Sequence, residues 1–95
     1  MQYIAYKITK EQINDLYNIK EFKYTNTLKF LNLPIKYKSE YGYIIIKYNI
    51  PTIIVQAELK LFDSENNTIY NAIFDLNLAE QIIEKYKLIQ DNTLI

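Results

Sequence analysis

The sequence predicts an α+β fold for one domain spanning residues 1–95, with a four- to five-stranded antiparallel sheet and two helices packed on one face. Three observations predict it. Residues 53–61 and 70–76 alternate apolar and polar side chains, the period of two that marks half-buried strands. The polar, turn-forming segment 63–68 joins them as a hairpin. Residues 10–20 and 77–89 instead repeat apolar side chains at helical spacing, so the expected element order is β-α-β-β-β-β-α.

The hairpin register follows from its apolar residues. Four apolar pairs share one face if Leu61 pairs with Tyr70, Leu59 with Ala72, Ala57 with Phe74 and Val55 with Leu76. A slip of one residue would put polar side chains opposite these apolar ones. The other face is therefore predicted to be polar, and it should carry Glu58 and Asp75.

The first strand should cover residues 2–8, followed by a helix from about Lys10 to Lys20. Thr9 is placed as the helix N-cap, and Gln12 three residues later completes a capping box. Ile8 and Ile13 flank this cap at the spacing of a hydrophobic staple. The helix should bury Ile13, Leu16 and Tyr17.

Residues 22–31 permit two interpretations, a strand or a short helix over 27–32. Pro34 disfavours helical geometry for Leu33, so a helix in this region would end there. Residues 35–39 are basic and are predicted to be an extended loop. Residues 41–49 form a predicted interior strand, because residues 43–46 are apolar on both faces. Pro51 cannot donate to a strand ladder and should end the pairing before it.

The last helix is predicted to begin at Asn77 as N-cap, with Glu80 as its capping-box partner. Its apolar positions at helical spacing are Ala79, Ile82, Ile83, Tyr86 and Ile89. Its polar face carries Glu80, Glu84, Lys85 and Lys87. This helix should cover the apolar face of the hairpin, and residues 91–95 should fray.

The composition excludes most enzyme classes. The chain has no Cys and no His, which removes triad and Cys-His nucleophile sites, and its one Gly rules out a Gly-rich phosphate loop. A metal site would need oxygen ligands, and the loop residues Asp63, Glu65, Asn66 and Asn67 are better explained as turn formers. We therefore predict no metal, no cofactor and no enzyme activity.

No stretch approaches the ~20 apolar residues that cross a bilayer, and a cytoplasmic location is expected.

Aromatic residues supply the main functional signal. Ten Tyr and four Phe in 95 residues exceed what one small core absorbs, so some should reach the surface and contact another protein. The predicted partner-binding residues are Lys36, Tyr37, Lys38, Tyr41, Tyr43 and Lys47. A homodimer through residues 43–46 or an uncovered first strand is a further prediction. A composition rich in Ile, Asn, Lys and Tyr is typical of AT-rich genomes, and small proteins of this kind from phages or mobile elements often inhibit a host machine such as a defence system.

Two other functions remain open. The same lysines and tyrosines could hold single-stranded nucleic acid, since aromatic rings beside cations stack with bases. Residues 1–38 hold seven Lys and three acidic residues (+4), whereas residues 39–95 hold four Lys and eight acidic residues (−4). This asymmetry marks a basic patch or two halves that pair with each other. The third hypothesis is a carboxylate enzyme that would need Glu58 and Asp75 together in a deep pocket.

Overall fold

Four strands and three helices make up residues 2–19, 33–49 and 54–91, the part of the chain that the computed structural model describes. The elements in chain order are β1 (Gln2–Thr9), α1 (Lys10–Leu16), α2 (Leu33–Lys38), β2 (Tyr41–Asn49), β3 (Ile54–Phe62), β4 (Thr68–Phe74) and α3 (Leu76–Lys85). The predicted α+β class is confirmed. The strand or helix predicted within residues 22–31 lies outside the described residues.

The sheet is antiparallel with the strand order β1-β2-β3-β4. In the β3–β4 hairpin, Leu61 pairs with Tyr70, Leu59 with Ala72 and Ala57 with Phe74, as the apolar pattern predicted. The predicted pair of Val55 with Leu76 is wrong, because Leu76 already belongs to α3. The predicted interior strand is β2, which pairs with β1 on one side and β3 on the other. Residues 43–46 therefore cannot form a dimer edge.

Helix α1 starts where the sequence placed it. The Thr9 hydroxyl accepts a hydrogen bond from the Gln12 N–H at 3.3 Å, and the Gln12 side chain accepts one from the Thr9 N–H at 2.9 Å. Both flanking isoleucines, Ile8 and Ile13, are fully buried in the same core cluster. The helix ends at Leu16, four residues before the predicted end, because the N–H groups that follow bond to carbonyls three residues back, as from Ile19 to Leu16.

Helix α2 corrects the prediction of an extended loop over residues 35–39. Pro34 lies in its first turn, where a backbone N–H has no partner within the helix and its absence costs nothing. Ile35 packs against the core. Ser39 is buried, and both its backbone N–H and its hydroxyl donate to the Ile35 carbonyl. The apolar contact of Ile35 and the hydrogen bonds at Ser39 both hold this helix in place.

Helix α3 covers the hairpin as predicted, but its ends differ. Asp75 is the N-cap instead of Asn77, since the Asp75 carboxylate accepts a hydrogen bond from the Leu78 N–H at 2.9 Å. At the other end Lys87 has a positive φ of 49°, which turns the chain out of the helix. Ile89 therefore leaves the helical apolar stripe and is 78% exposed, whereas the sequence pattern had placed it in the core.

The segment 89–91 lies along the outer side of β1. The Lys7 N–H donates to the Ile89 carbonyl at 3.1 Å, and the Asp91 N–H donates to the Ala5 carbonyl at 2.8 Å. Tyr6 and Gln90 form the antiparallel bridge between them. This pairing covers part of the first strand, which had been considered as a dimer edge if uncovered. It also orders Asp91, which was expected to fray.

The two sheet faces have different surroundings. The face covered by the helices carries Ile44 of β2 and Leu59 of β3, which belong to the main core cluster. Helices α1 and α3 contribute to the same cluster Ile13, Leu16, Leu78, Ala79 and Ile82. The opposite face, here called the far face, carries the intervening residues of each strand. One row across it is Ala5, Ile45, Glu58 and Ile73. The prediction that the helices pack on one face is confirmed.

Candidate functional site

An aromatic cluster occupies one end of the far face. The rings of Tyr41 and Phe62 stack with centroids 5.0 Å apart and planes 10° apart. Tyr43 meets both rings edge-on, at 6.1 Å from Tyr41 and 6.0 Å from Phe62. Such offset and edge-to-face pairs stabilise a fold beyond the area they bury. These three rings therefore behave as a small second core.

Burial of this cluster changes the predicted contact face. Tyr43 is only 6% exposed, so the expectation that its ring is a surface contact is wrong. Tyr41 is half-buried, and its hydroxyl donates to the Asn66 side-chain carbonyl at 2.7 Å. Paired rings of this kind have little free surface to offer to another molecule. The physical reason is cross-strand packing, which brings Phe62 beside both tyrosines and was not considered in the sequence reading.

An ion pair occupies the middle of the far face. The Lys47 ammonium lies 2.8 Å from the Glu58 carboxylate, and their side chains are 24% and 12% exposed. The same ammonium lies 5.8 Å from the centroid of the Tyr3 ring, within cation–π range. Lys47 was predicted as a partner contact, but here its charge is already matched within the protein.

The two carboxylates considered for catalysis have separate structural roles. Glu58 pairs with Lys47 on the sheet, whereas Asp75 caps α3 beyond the end of β4. They therefore do not form the expected pair on one polar face. The pocket that a carboxylate enzyme would need is not built from these two residues, since each carboxylate is committed to a local contact.

Helix α2 carries the other three predicted contacts. The Tyr37 ring is 72% exposed, and Lys38 is also exposed. Lys36 is half-buried, because its ammonium lies over the Tyr17 ring at 5.4 Å from the centroid. In β2, residues 41 and 47 are six positions apart, roughly 20 Å along a strand. The six predicted residues thus do not form one continuous surface, and α2 holds the accessible part.

A cleft between α1 and α2 lies next to the exposed tyrosine. It has a volume of about 360 Å³ and is lined by Lys10, Asn14, Asp15, Asn18, Lys36 and Tyr37. The Lys10 ammonium also lies 3.3 Å from the Glu40 carboxylate, an exposed ion pair at the end of α2. The sequence analysis missed the asparagines, although Asn14 and Asn18 are four residues apart within the helix predicted over residues 10–20, the spacing that places two side chains on one helix face.

A larger cleft lies between the end of α1 and α3 and shares Asp15 and Asn18 with the first. Its volume is about 580 Å³, and its lining residues are Asp15, Asn18, Ile19, Leu78, Gln81, Ile82, Lys85 and Tyr86. Burial raises the pKa of Tyr86, and the nearby Asp15 carboxylate raises it further. The shared residues make the two clefts neighbours around the exposed side of α1.

The hairpin loop is anchored by Asp63. Its carboxylate accepts hydrogen bonds from the N–H groups of Glu65 and Asn67, each at 2.9 Å, and from the Asn67 side-chain amide at 3.3 Å. The Asn67 backbone bond is the main cause that lowers the pKa of Asp63, and Lys38 adds a smaller electrostatic contribution. The loop asparagine Asn66 adopts a positive φ of 66°. These contacts account for the polar residues of the loop as turn formers.

The described ranges hold neither a metal-binding cluster nor a membrane-spanning helix. Within residues 2–19, 33–49 and 54–91, no three His, Cys, Asp or Glu side chains stand close enough together to hold a metal ion. None of the helices in the same ranges has the length and apolar character needed to cross a bilayer.

The accessible features of the described residues thus include an exposed tyrosine and two clefts around α1, whereas the rings and charges of the far face are largely paired. Comparisons with protein-family models, with curated proteins and with solved structures gave no match.

Proposed function

We propose that the protein is a non-enzymatic binding module that recognises another protein through the surface formed by Lys10, Asn14, Asn18, Lys36 and Tyr37, here called the α1–α2 surface. The observation that carries the proposal is the Tyr37 ring, which is 72% exposed beside the cleft of about 360 Å³. A tyrosine is large, has only two side-chain torsions and keeps one polar atom. It therefore buries much area on binding at a low entropy cost.

The surroundings of Tyr37 favour a preorganised contact. Lys36 is held over the Tyr17 ring, and α1 has a complete capping box at its start. A side chain that is already ordered before binding loses less entropy when a partner docks. Asn14 and Asn18 offer amide donors and acceptors around the aromatic anchor, the arrangement of a polar rim around an apolar centre.

The charges on the surface of the protein favour a protein partner over a nucleic-acid partner. Lys10 is paired with Glu40, Asp15 lines the cleft, and on the far face Lys47 is paired with Glu58. Single-stranded nucleic acid needs unpaired cations along a groove together with accessible rings for stacking. Tyr43 is buried and Tyr41 is stacked on Phe62, so the rings once considered for stacking are occupied.

The finer proposal concerns biological setting. We infer that the module acts in the cytoplasm of an AT-rich host or of a phage's host, as an accessory protein that blocks a host machine such as a defence system. The support is the composition, rich in Ile, Asn, Lys and Tyr, together with the small size. The partner is then a protein of the host.

The test compares Tyr37→Ala with wild type and with Ile89→Ala, a matched control that removes another highly exposed apolar side chain. Each tagged protein is used to capture partners from a host lysate, and the captured protein is then purified and titrated calorimetrically. Tyr37→Ala should weaken binding at least about tenfold, as expected for an interface anchor. Ile89→Ala should bind like wild type, and both variants should keep the melting temperature.

Equal binding by wild type and Tyr37→Ala would contradict the α1–α2 surface as the contact. A salt titration decides the class of partner. Affinity for a single-stranded oligonucleotide that falls steeply with salt would favour the nucleic-acid alternative, because counterion release scales with the phosphates contacted. A protein contact centred on tyrosine should depend only weakly on salt.

A further inference from the structure

We propose that residues 88–91 are an edge guard, a segment that closes the outer side of β1 and so keeps other chains from pairing with this strand. Strand β1 lies at one end of the strand order, and β2 pairs with its inner side. An edge strand presents a row of backbone N–H and C=O groups with which any extended chain can pair. The guard occupies part of that row.

The composition of β1 is that of an edge strand in need of protection. Natural edge strands carry charges or prolines, or they are covered by another part of the chain. Residues 2–9 hold five apolar residues, a single charge at Lys7 and no proline. Short segments of high β-propensity and low charge are the ones most prone to pair with other chains. Covering is therefore the protection that suits this edge.

Two backbone hydrogen bonds hold the guard on β1. The Lys7 N–H donates to the Ile89 carbonyl at 3.1 Å, and the Asp91 N–H donates to the Ala5 carbonyl at 2.8 Å. The two bonds flank an antiparallel bridge, the arrangement in which the residue between them turns its own N–H and C=O away from the neighbouring strand. The guard thus takes up outward groups of β1 at the positions where another chain would bond.

The end of α3 directs the guard toward β1. The Leu88 N–H donates to the Ile83 carbonyl at 3.0 Å, and the Lys87 N–H donates to the Glu84 carbonyl at 3.2 Å, which together form a Schellman motif. Lys87 has the positive φ of this motif, a conformation that glycine or asparagine usually adopts. Leu88 is buried in the main core cluster. The guard therefore begins at a fixed turn and a buried anchor.

Amide hydrogen exchange of the wild-type protein reads the guard without any substitution. The N–H groups of Lys7 and Asp91 belong to the two bonds of the guard, so one opening event should release both. Their protection factors should agree within about threefold and lie at least about tenfold below those of the interior strand β2. An unprotected Lys7 N–H, or two clearly different protection factors, would overturn the proposal.

Proline at two neighbouring positions supplies a matched pair of variants. Asp91→Pro removes the N–H that bonds to the Ala5 carbonyl, whereas Gln90→Pro removes an N–H that points away from β1, where an edge tolerates proline. Asp91→Pro should lower the protection of the Lys7 N–H at least about tenfold, and Gln90→Pro should leave it nearly unchanged. Circular dichroism and the protection of β2 amides verify that both variants fold.

Light scattering coupled to size-exclusion chromatography then shows whether the guard prevents association. Wild type and Gln90→Pro should keep one mass from about 10 μM to about 1 mM. Asp91→Pro should form larger species whose share rises with concentration, because part of the edge is open. Adding Tyr3→Lys to Asp91→Pro should reverse this association, since a lysine on the edge strand opposes pairing. Tyr3 is 39% exposed, so the replacement changes the edge and spares the core.

Equal masses of Asp91→Pro and wild type up to about 1 mM would overturn the proposal. So would equal behaviour of the two proline variants, or association that Tyr3→Lys leaves unchanged. The inference does not depend on the α1–α2 surface, because partner binding is read with Tyr37→Ala and the guard with Asp91→Pro.

Discussion

The Lys47 ammonium and the Glu58 carboxylate lie 2.8 Å apart on neighbouring strands of the far face. Glu58 is flanked across the sheet by Ile45 and Ile73, and its side chain is only 12% exposed. A carboxylate in such an apolar row needs a cation, because an unpaired buried charge is strongly unfavourable. The pair therefore explains both why Glu58 tolerates burial and why Lys47 is unavailable to a partner.

Glu58→Ala should lower the free energy of unfolding by about 1–3 kcal/mol, measured by urea denaturation. Breaking a fully buried pair costs more, but the Lys47 side chain is 24% exposed and its ammonium can turn toward water. The double variant Lys47→Met with Glu58→Gln should recover most of the loss, because it removes both charges together. A double variant less stable than Glu58→Ala would contradict this account.

Gly42→Ala should destabilise the protein by about 1–3 kcal/mol, the usual cost of overpacking. A Cβ at position 42 would lie 2.6 Å from the Lys60 carbonyl oxygen and 2.6 Å from a Leu61 methyl carbon. The carbonyl belongs to the neighbouring strand β3, so relief requires a backbone shift between two interior strands. Asn71→Ala is the control, an exposed strand substitution expected to change stability by less than about 0.5 kcal/mol. An unchanged urea denaturation midpoint for Gly42→Ala would contradict this prediction, because it would show that β2 and β3 move apart without a cost in stability.

Tyr43→Ala should lower stability by about 2–4 kcal/mol, as large-to-small changes in packed aromatic clusters do. Its ring is 6% exposed and meets Tyr41 and Phe62 edge-on. Tyr37→Ala, by contrast, should stay within about 0.5 kcal/mol, since its ring is 72% exposed. Thermal denaturation of both variants measures the contrast. Equal stabilities would mean that the cluster contributes nothing as a core.

Alkaline conditions should destabilise the protein through Tyr17. Burial raises the pKa of Tyr17 to about 12 from 10.0, and the nearby Tyr70 adds to the shift. Above pH 10 the unfolded chain therefore loses this proton before the folded protein does, so folding stability falls as pH rises. The contribution is fully present below pH 10 and is lost as pH rises through about 12.

The measurement compares urea midpoints of wild type and Tyr17→Phe across this window. Tyr17→Phe has no proton to lose at this position, so the stability difference between the proteins should shift in its favour as pH rises. Tyr37→Phe serves as the control, because it removes the same hydroxyl from a ring that is 72% exposed. Parallel pH profiles for wild type and Tyr17→Phe would contradict a buried, titrating Tyr17.

The apolar pattern predicted the hairpin register because strand side chains alternate with a strict period of two. Leu59 opposite Ala72 follows from that rule alone. The α1 cap was equally predictable, since Thr9 and Gln12 satisfy each other's backbone groups without any distant contact. Both features depend only on residues that lie close together in the sequence.

Non-local packing accounts for the predictions that were wrong. Tyr43 was placed on the surface, but Phe62 from the next strand covers it together with Tyr41. Ile89 fits the helical spacing, yet the turn at Lys87 sends it to the outer side of β1. A helix was expected to end before Pro34 and residues 35–39 to be an extended loop, but a proline in the first turn is compatible with a helix.

The sequence alone determined the fold class, the interior strand β2, the register of the hairpin and the start of α1, because each depends on side-chain periodicity or on hydrogen bonds a few residues apart. The tertiary structure decided which tyrosines are accessible, which charges are paired and which sheet edge is covered. These properties depend on residues far apart in the chain, as when Lys47 meets Glu58 or Ile89 meets Lys7. These residues become neighbours only after the strands have paired.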